Sequence, residues 1–297
     1  MKHKGKITLL ILGMFLMAQF IGLYVVNYYL MPGNEVPLGF GYSGSDFEGG
    51  TAGIIVSIVF GIIIAVSLFL LLTKIKADFF LRLWFFLVVV IALIISLNSI
   101  IPYFQYSLLL SGIIALTMGF FKVYKRSLLV HNAAELLVYP GIAAIFVPIL
   151  SFWAIIILLI IISLYDMWAV WHSGIMQKMA KYQINKLKTF SGFFVPYISR
   201  KVRLQIKSMT RAQLKKKKIK VNVAILGGGD VVFPIITSGV MLASLGLYYA
   251  LFTIGGAALG LSYILLFSKK KKFYPAMPFI TAGIFAGLLV GLVISLL

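Results

Sequence analysis

The sequence contains no cysteine among its 297 residues. Without a thiol, the chain has no disulfide, no thiolate metal ligand and no cysteine nucleophile. It is also poor in acid, with seven Asp and Glu against 27 Lys and Arg, which gives a formal net charge of +20. Charged residues make up 11% of the chain and hydrophobic residues 62%. A soluble domain does not expose so much apolar surface to water, so the composition predicts a polytopic membrane protein.

Long apolar runs account for most of the hydrophobic residues. A helix of about 20 apolar residues crosses a hydrocarbon core about 30 Å thick. The first run is too long for the apolar core of a signal peptide, and we interpret it as a retained helix. We predict an all-α, multi-pass protein of the cell membrane with nine transmembrane helices. The predicted helices are Ile7–Leu30, Ala52–Thr73, Phe79–Leu97, Ser107–Phe121, Ser127–Leu150, Phe152–His172, Val221–Ala243, Leu247–Phe267 and Phe273–Leu297.

The basic residues alternate along these spans. All 27 lie at the N-terminus or in the second, fourth, sixth and eighth connections and their flanks. The positive-inside rule therefore predicts a cytoplasmic N-terminus and an external C-terminus. The basic flanks also favour contact with anionic membrane lipid. They do not indicate binding of nucleic acid, because no recognisable binding module accompanies them.

The long sixth connection divides the chain into three predicted parts. Residues 1–172 form a six-helix part, residues 173–220 a basic cytoplasmic loop, and residues 221–297 a three-helix part. The loop contains an apolar patch, Phe190–Ile198, that is too short to span the membrane. The favoured interpretation is a basic segment lying on the inner leaflet. The alternative is a flap or plug near a site between helices six and seven.

Three acidic residues lie inside the predicted spans: Glu135, Asp166 and Asp230. A carboxylate at membrane depth is costly unless it is paired, hydrated or protonated, so it indicates function by default. Asp166 lies six residues before His172, roughly 9 Å from the inner end of helix six. Asp230 lies nine residues after Val221, roughly 13 Å from the inner end of helix seven. The two aspartates are therefore predicted at similar depth on consecutive antiparallel helices.

Three glycines, Gly227, Gly228 and Gly229, precede Asp230. Small residues allow close helix approach and lower the cost of local unwinding. Two carboxylates a few ångströms apart share one proton and titrate as a pair. One can activate a water as general base while the other donates a proton to a scissile carbonyl oxygen. This aspartic-protease chemistry requires no metal and no cofactor.

Three short motifs occur in a fixed order: Tyr165-Asp166, Gly227–Asp230 and Pro275–Pro278. In this order they resemble the motifs of the presenilin and signal peptide peptidase family of intramembrane aspartyl proteases. The short loops and the predicted cytoplasmic N-terminus look like an archaeal presenilin homologue. The sequence departs from the family at Met277, where the third motif has leucine. Methionine conserves the volume, so we expect the motif to keep its place beside the site.

The resemblance implies an aspartic endopeptidase that hydrolyses peptide bonds within or near single-span transmembrane substrates. It implies that Asp166 and Asp230 are catalytic. An oligomer is compatible with the sequence. The residues expected to bind substrate or support the site are Tyr165, Gly227, Gly228, Gly229, Pro275, Ala276 and Met277.

Three other functions fit parts of the sequence. A proton-coupled transporter could use the two aspartates as a proton relay. His131 and Glu135 have a spacing that could hold a metal, although a polar packing pair is favoured and we expect Glu135→Gln to retain activity. A rhomboid-type serine protease would need a nucleophile such as Ser238 beside a histidine base. Cleavage of a membrane peptide without an ion gradient distinguishes a protease from a transporter.

The charge pattern generates a prediction about topology. A reporter fused at Met1 should lie in the cytoplasm, and one fused after Leu297 should lie outside, because moving a lysine-rich flank across the bilayer is costly. Accessibility of the two reporters in intact cells measures this. Finding both ends on the same side would require an even number of spans and would contradict the nine-helix topology.

Overall fold

The computed structural model describes residues 5–40, 50–75, 77–101, 105–125, 127–173, 182, 191–197, 222–268 and 274–296. These residues form nine α-helices and two β-strands. Eight of the helical segments are long and apolar enough to cross a membrane, and the remaining helix, Gly229–Leu245, is shorter, with 17 residues. The elements are α1 (Gly5–Leu30), α2 (Gly50–Lys74), α3 (Asp78–Ile100), α4 (Ser107–Phe120), α5 (Leu128–Phe146), α6 (Phe152–Trp168), β1 (Gly192–Tyr197), β2 (Asn222–Gly227), α7 (Gly229–Leu245), α8 (Leu247–Phe267) and α9 (Met277–Leu296).

The predicted helical membrane fold is confirmed, with one unpredicted pair of short strands, and most helix bounds agree within a few residues. Helices α4 and α6 each continue into a π-helical turn, at Phe121–Lys125 and Ala169–Ser173. Helix α9 begins at Met277, four residues later than predicted. Pro278 is its second residue, a position where the missing N–H costs no helical hydrogen bond. The orientation of the two termini stays a prediction.

The predicted start of helix seven at Val221 is wrong. Residues Asn222–Gly227 form strand β2, and α7 begins only at Gly229. In β2 the side chains of Ala224 and Leu226 are buried, whereas those of Val223 and Ile225 are each 44% exposed. This alternation is the two-residue period of a strand, and β-branched residues favour it.

Strand β2 pairs with β1 in an antiparallel register that sets Gly192 opposite Gly227 and Tyr197 opposite Asn222. Strand β1 comes from the apolar patch of the long connection. Its Phe193 is fully buried and Val195 is 6% exposed. The favoured interpretation of this patch, a segment on the inner leaflet, is therefore wrong for residues 192–197. Residues 174–181, 183–190 and 198–221 of the connection lie outside the described residues, and the three-part division of the chain stays a prediction.

Helix α1 holds the first turn of α7. Gln19 is fully buried in α1, and its Nε2 donates to the backbone carbonyl of Val231 at 3.1 Å. Gly22, one turn further along, leaves room for Ile235 of α7, whose side chain would overlap a Cβ at that position. A buried amide that is hydrogen-bonded fixes the relative height of two helices in an apolar environment. Asp230 is the residue before Val231, so this contact also sets its height.

Glycines bring α8 and α9 into backbone contact. A Cβ added at Gly256 would overlap the carbonyl oxygen of Gly283, and one added at Gly260 would overlap that of Phe279. Both helices carry glycine at a spacing of four, which is the small-residue pattern that lets membrane helices approach closely. The crossing fixes α9, and with it the Pro275–Pro278 segment at its start.

The backbone contact between α8 and α9 predicts that substitutions at neighbouring glycines change stability by different amounts. Gly256→Ala should lower the free energy of unfolding by about 1–3 kcal/mol, because the added methyl forces the backbones apart. Gly255→Ala is the matched control, since a Cβ there meets nothing within 4 Å. Thermal unfolding in detergent measures both variants. Equal melting temperatures would contradict a glycine-dependent contact at this position.

Candidate active site

Asp166 lies in the last turn of α6 and is 7% exposed. Its Oδ2 accepts a hydrogen bond from the backbone N–H of Met277 at 3.1 Å, and the backbone N–H of Ala276 also donates to the carboxyl group. The first residues of a helix have no partner for their N–H groups within the helix. The start of α9 therefore supplies donors that a buried carboxyl group requires.

One turn before Asp166, a second contact joins the same helices. The hydroxyl of Ser163 donates to that of Thr281 at 2.8 Å, and both side chains are buried. Ser163 lies three residues before Asp166, and Thr281 lies four residues after Met277. The two hydrogen-bonded positions therefore follow one face of each helix and set α9 against α6.

Asp230 lies in the first turn of α7, where the helix dipole favours a negative charge. Its side chain is half-buried and accepts a hydrogen bond from the backbone N–H of Gly227. A Cβ at Gly227 would lie 3.1 Å from Oδ2 of Asp230, closer than carbon and oxygen ordinarily approach. The first glycine of the motif therefore admits the carboxyl group beside the end of β2.

The structure brings the two aspartates into one site. Their carboxyl groups are close enough for their charges to interact. The site is enclosed by the end of β2, the first turn of α7, the last turn of α6 and the start of α9. Pro275 and Met277 are buried there, and Ala276 is half-buried. The third motif was expected to lie beside the site, and the backbone N–H of Met277 donates to Asp166 there. The catalytic and supporting roles of these residues stay predictions.

The remaining motif residues differ in their surroundings. A Cβ at Gly228 would lie 2.7 Å from the hydroxyl of Ser191 and 3.1 Å from the ring and hydroxyl of Tyr139. Gly229 is exposed. Tyr165 is 45% exposed with its ring 6.3 Å from that of Trp168, and among the described residues its hydroxyl has no hydrogen bond to either aspartate. Among the described residues, no hydrogen bond to the aspartates therefore supports the expected role of Tyr165.

Tyr139 is a site residue that the sequence analysis missed. It is 1% exposed, and its ring packs edge-on against Phe193 of β1 at 5.5 Å. Its hydroxyl lies beside Gly228 and within range of electrostatic interaction with Asp230. A tyrosine in an apolar helix is common as a packing residue, so the sequence carried no signal that distinguished it. The buried Gln19, an amide in the middle of a long apolar run, was the stronger signal and was also overlooked.

The chain matches a known protein family. The family model described as signal-peptide peptidase, presenilin aspartyl protease matches residues 43–297. The chain belongs to this family. A search of curated proteins found no match.

Two solved structures share the fold. Both are titled as a presenilin family intramembrane aspartate protease, one in the C222 and one in the P2 space group. The first has a TM-score of 0.61 and 17% identity over 97% of this chain and 99% of its own. The second has a TM-score of 0.61 and 18% identity over 96% of both chains. The predicted resemblance is confirmed: this is a multi-pass intramembrane aspartyl protease with a presenilin-like fold.

The rival functions find no support in this family or fold. Nothing in the comparisons favours a transporter. Ser238 is fully buried and its hydroxyl donates to the carbonyl of Ile235 at 3.0 Å within its own helix. The ammonium group of Lys122 lies 2.5 Å from the carboxylate of Glu135, in the position that a metal ion would need. The favoured interpretation of Glu135 as part of a polar packing arrangement agrees with this contact.

Met277 generates a prediction about the site. Its side chain is 4% exposed, so Met277→Ala should remove packing worth about 2–5 kcal/mol and loosen the segment that bonds Asp166. Met277→Leu conserves volume and should cost less than about 1.5 kcal/mol. Unfolding and cleavage assays on both variants measure the difference. Full activity in the alanine variant would contradict a role for this side chain in holding the site.

Proposed function

We propose that Asp166 and Asp230 are the catalytic pair of this intramembrane aspartyl protease. The observation that carries the proposal is their shared site, in which backbone N–H groups donate to both carboxyl groups and Asp230 lies within range of the charge of Asp166. Two neighbouring carboxyl groups whose charges interact can share one proton. The pair thereby holds an acid and a base at the same time.

The mechanism uses the two states of the pair. The ionised carboxylate takes a proton from a water, whose oxygen attacks the scissile carbonyl carbon. The protonated carboxyl group gives its proton to the carbonyl oxygen, which produces a neutral gem-diol. The groups then exchange roles: a proton passes to the leaving nitrogen, the C–N bond breaks, and the acid product retains the attacking oxygen. Neither carboxyl group forms a covalent bond to the substrate.

We further propose that single-span membrane helices are the substrates and that they bind in extended form beside β2. A helical amide is shielded by its own hydrogen bonds, so the scissile bond must leave its helix before attack. Among the described residues, β2 has β1 along one edge and no strand along the other. An extended substrate segment can add to that edge through main-chain hydrogen bonds. The exposed side chains of Val223 and Ile225 would give it apolar contacts.

Conservative variants of the pair test the catalytic assignment. Asp166→Asn and Asp230→Asn should each lower cleavage by about 10²-fold to 10⁴-fold or more, because an amide cannot transfer the required proton. Folding should persist, since the amide oxygen still accepts the backbone hydrogen bonds. The assay uses purified protein in liposomes with a transmembrane peptide and no ion gradient, which also excludes proton-driven transport as the source of signal.

Asp78→Asn is the matched control for these variants. Asp78 begins α3, away from the paired aspartates, and accepts a hydrogen bond from the hydroxyl of Tyr182 that an asparagine oxygen can also accept. It should cleave like the wild type. Appreciable cleavage by either Asp166→Asn or Asp230→Asn would overturn the catalytic assignment. Glu135→Gln, expected from the sequence to be neutral, is unsuitable as a control because Glu135 pairs with a buried lysine.

A further inference from the structure

The outer edge of β1 is bonded by side chains of α5. The backbone N–H of Phe194 donates to Oδ1 of Asn132 at 3.0 Å, and Nδ2 of Asn132 donates to the carbonyl of Phe194 at 2.8 Å. Nε2 of His131 lies 2.8 Å from the carbonyl oxygen of Gly192. A primary amide can donate and accept at once, so Asn132 replaces a neighbouring strand at this residue.

Glu135 bonds the same edge one turn further along α5. It is fully buried, and its Oε1 accepts from the backbone N–H of Gly192 at 3.2 Å. Its Oε2 accepts from the hydroxyl of Ser191 at 3.4 Å. Lys122, itself 4% exposed, balances its charge at 2.5 Å. A buried ion pair is often no more stabilising than apolar residues of similar volume, so its contribution lies in the geometry that it fixes.

A short line of contacts leads from these side chains to Asp230. Glu135 holds Gly192, and Gly192 stands opposite Gly227 in the antiparallel register. The backbone N–H of Gly227 donates to the carboxyl group of Asp230. The adjacent N–H of Gly228 donates to the carbonyl of Ser191 at 3.2 Å. The position of β1 on α5 therefore sets the position of β2 relative to the aspartate.

We propose that Asn132 and Glu135, whose charge Lys122 balances, form an edge clamp, a pair of positioning residues that determines which substrate bond meets the aspartates. The inference rests on the proposed catalytic role of Asp230 and on substrate addition to β2. A strand pair without fixed neighbours can slip in register, and each slip of two residues preserves the faces of its side chains. By holding β1, the edge clamp prevents β2 and its bound substrate from moving relative to the catalytic pair.

Two double variants separate the hydrogen bond from the ion pair. Lys122→Met with Glu135→Gln removes both charges but leaves an oxygen to accept from Gly192. Lys122→Met with Glu135→Leu removes the charges and the acceptor. Replacing both members of a buried ion pair avoids leaving a lone charge in the interior. The glutamine variant is thus the conservative rescue of the leucine variant.

Asn132→Leu provides an independent test that involves no charge. Asn132 is half-buried, so the variant remains informative if the leucine double variant does not fold. Its matched control is Asn98→Leu on α3, where the asparagine bonds only weakly, to the hydroxyl of Tyr29 at 3.5 Å. Melting temperatures establish which variants fold.

The expected result is a change in where and how fast the enzyme cuts. The leucine double variant and Asn132→Leu should lose about tenfold in kcat, which corresponds to about one hydrogen bond. Mass spectrometry of the products should show new cuts at neighbouring bonds of a transmembrane peptide, while KM changes less. The glutamine double variant and Asn98→Leu should cut at the wild-type bond. A loss of stability alone would lower the active fraction without moving the cut.

Hydrogen exchange distinguishes failure of the edge clamp from failure of the catalytic assignment. Each variant is also made in the Asp230→Asn background, and amide exchange is measured across residues 192–197 and 222–227. Faster exchange in the leucine variants supports the edge clamp whatever the role of Asp230. Unchanged exchange together with an unchanged cleavage site in folded Asn132→Leu would overturn the proposal.

Discussion

The proposed catalytic pair places two carboxyl groups in one site, in a medium that solvates charge poorly. Two full charges 4 Å apart repel by about 4 kcal/mol at an effective dielectric constant of 20. The described residues meet this constraint with backbone N–H groups from Gly227, Ala276 and Met277 rather than with a lysine or arginine. Neutral donors stabilise a carboxyl group without fixing both groups in the ionised state. A proton can therefore remain in the pair, and the chemistry requires that proton.

The same donors explain why helical structure stops beside each aspartate. An N–H group is available only where the backbone is not already bonded within a helix, at a helix start or a strand end. Such irregular backbone is tolerated at membrane depth only where protein buries it and satisfies its polar groups. At the start of α9, the carboxyl group of Asp166 accepts the free backbone N–H groups. At the end of β2, the polar groups of the backbone are bonded by Asp230 and by β1. Strand β1 in turn relies on α5 for its outer edge, so the site depends on packing two elements away from the aspartates.

Much of this architecture could be predicted from the sequence. Long apolar runs and their basic flanks located the spans, because a run of about 20 apolar residues is typical of a membrane-spanning helix. The two aspartates and the Pro275–Pro278 segment stood out as polar or helix-breaking residues in apolar surroundings. Strand β2 did not, because a run of four apolar residues, Val223–Leu226, fits a buried helix end as well as a strand. Its exposure pattern arises only once β1 has docked beside it, which is a contact between segments distant in sequence.

Lys122 shows a second limit of reasoning from composition. Its position near the end of a span made it one of the basic residues that fix topology, and the positive-inside rule treats all of these alike. In the structure it is buried against Glu135 and the ring of Phe85. Sequence cannot distinguish a solvated flank lysine from a buried one, because the difference lies in whether an acid on the next helix faces it. The predicted orientation rests on the other basic residues and does not change.

The three acids inside the spans therefore have two different environments. Glu135 faces a cation and bonds the backbone of β1, so its charge is balanced and its geometry is fixed. The charge of Asp166 acts on Asp230, and among the described residues the hydrogen-bond donors to both carboxyl groups are backbone N–H groups. An acid balanced by a lysine can hold a strand, whereas we propose that the two acids without a cation share one proton. Burial alone thus marks all three acids as costly, and we propose that the partner of each decides whether the acid serves positioning or catalysis.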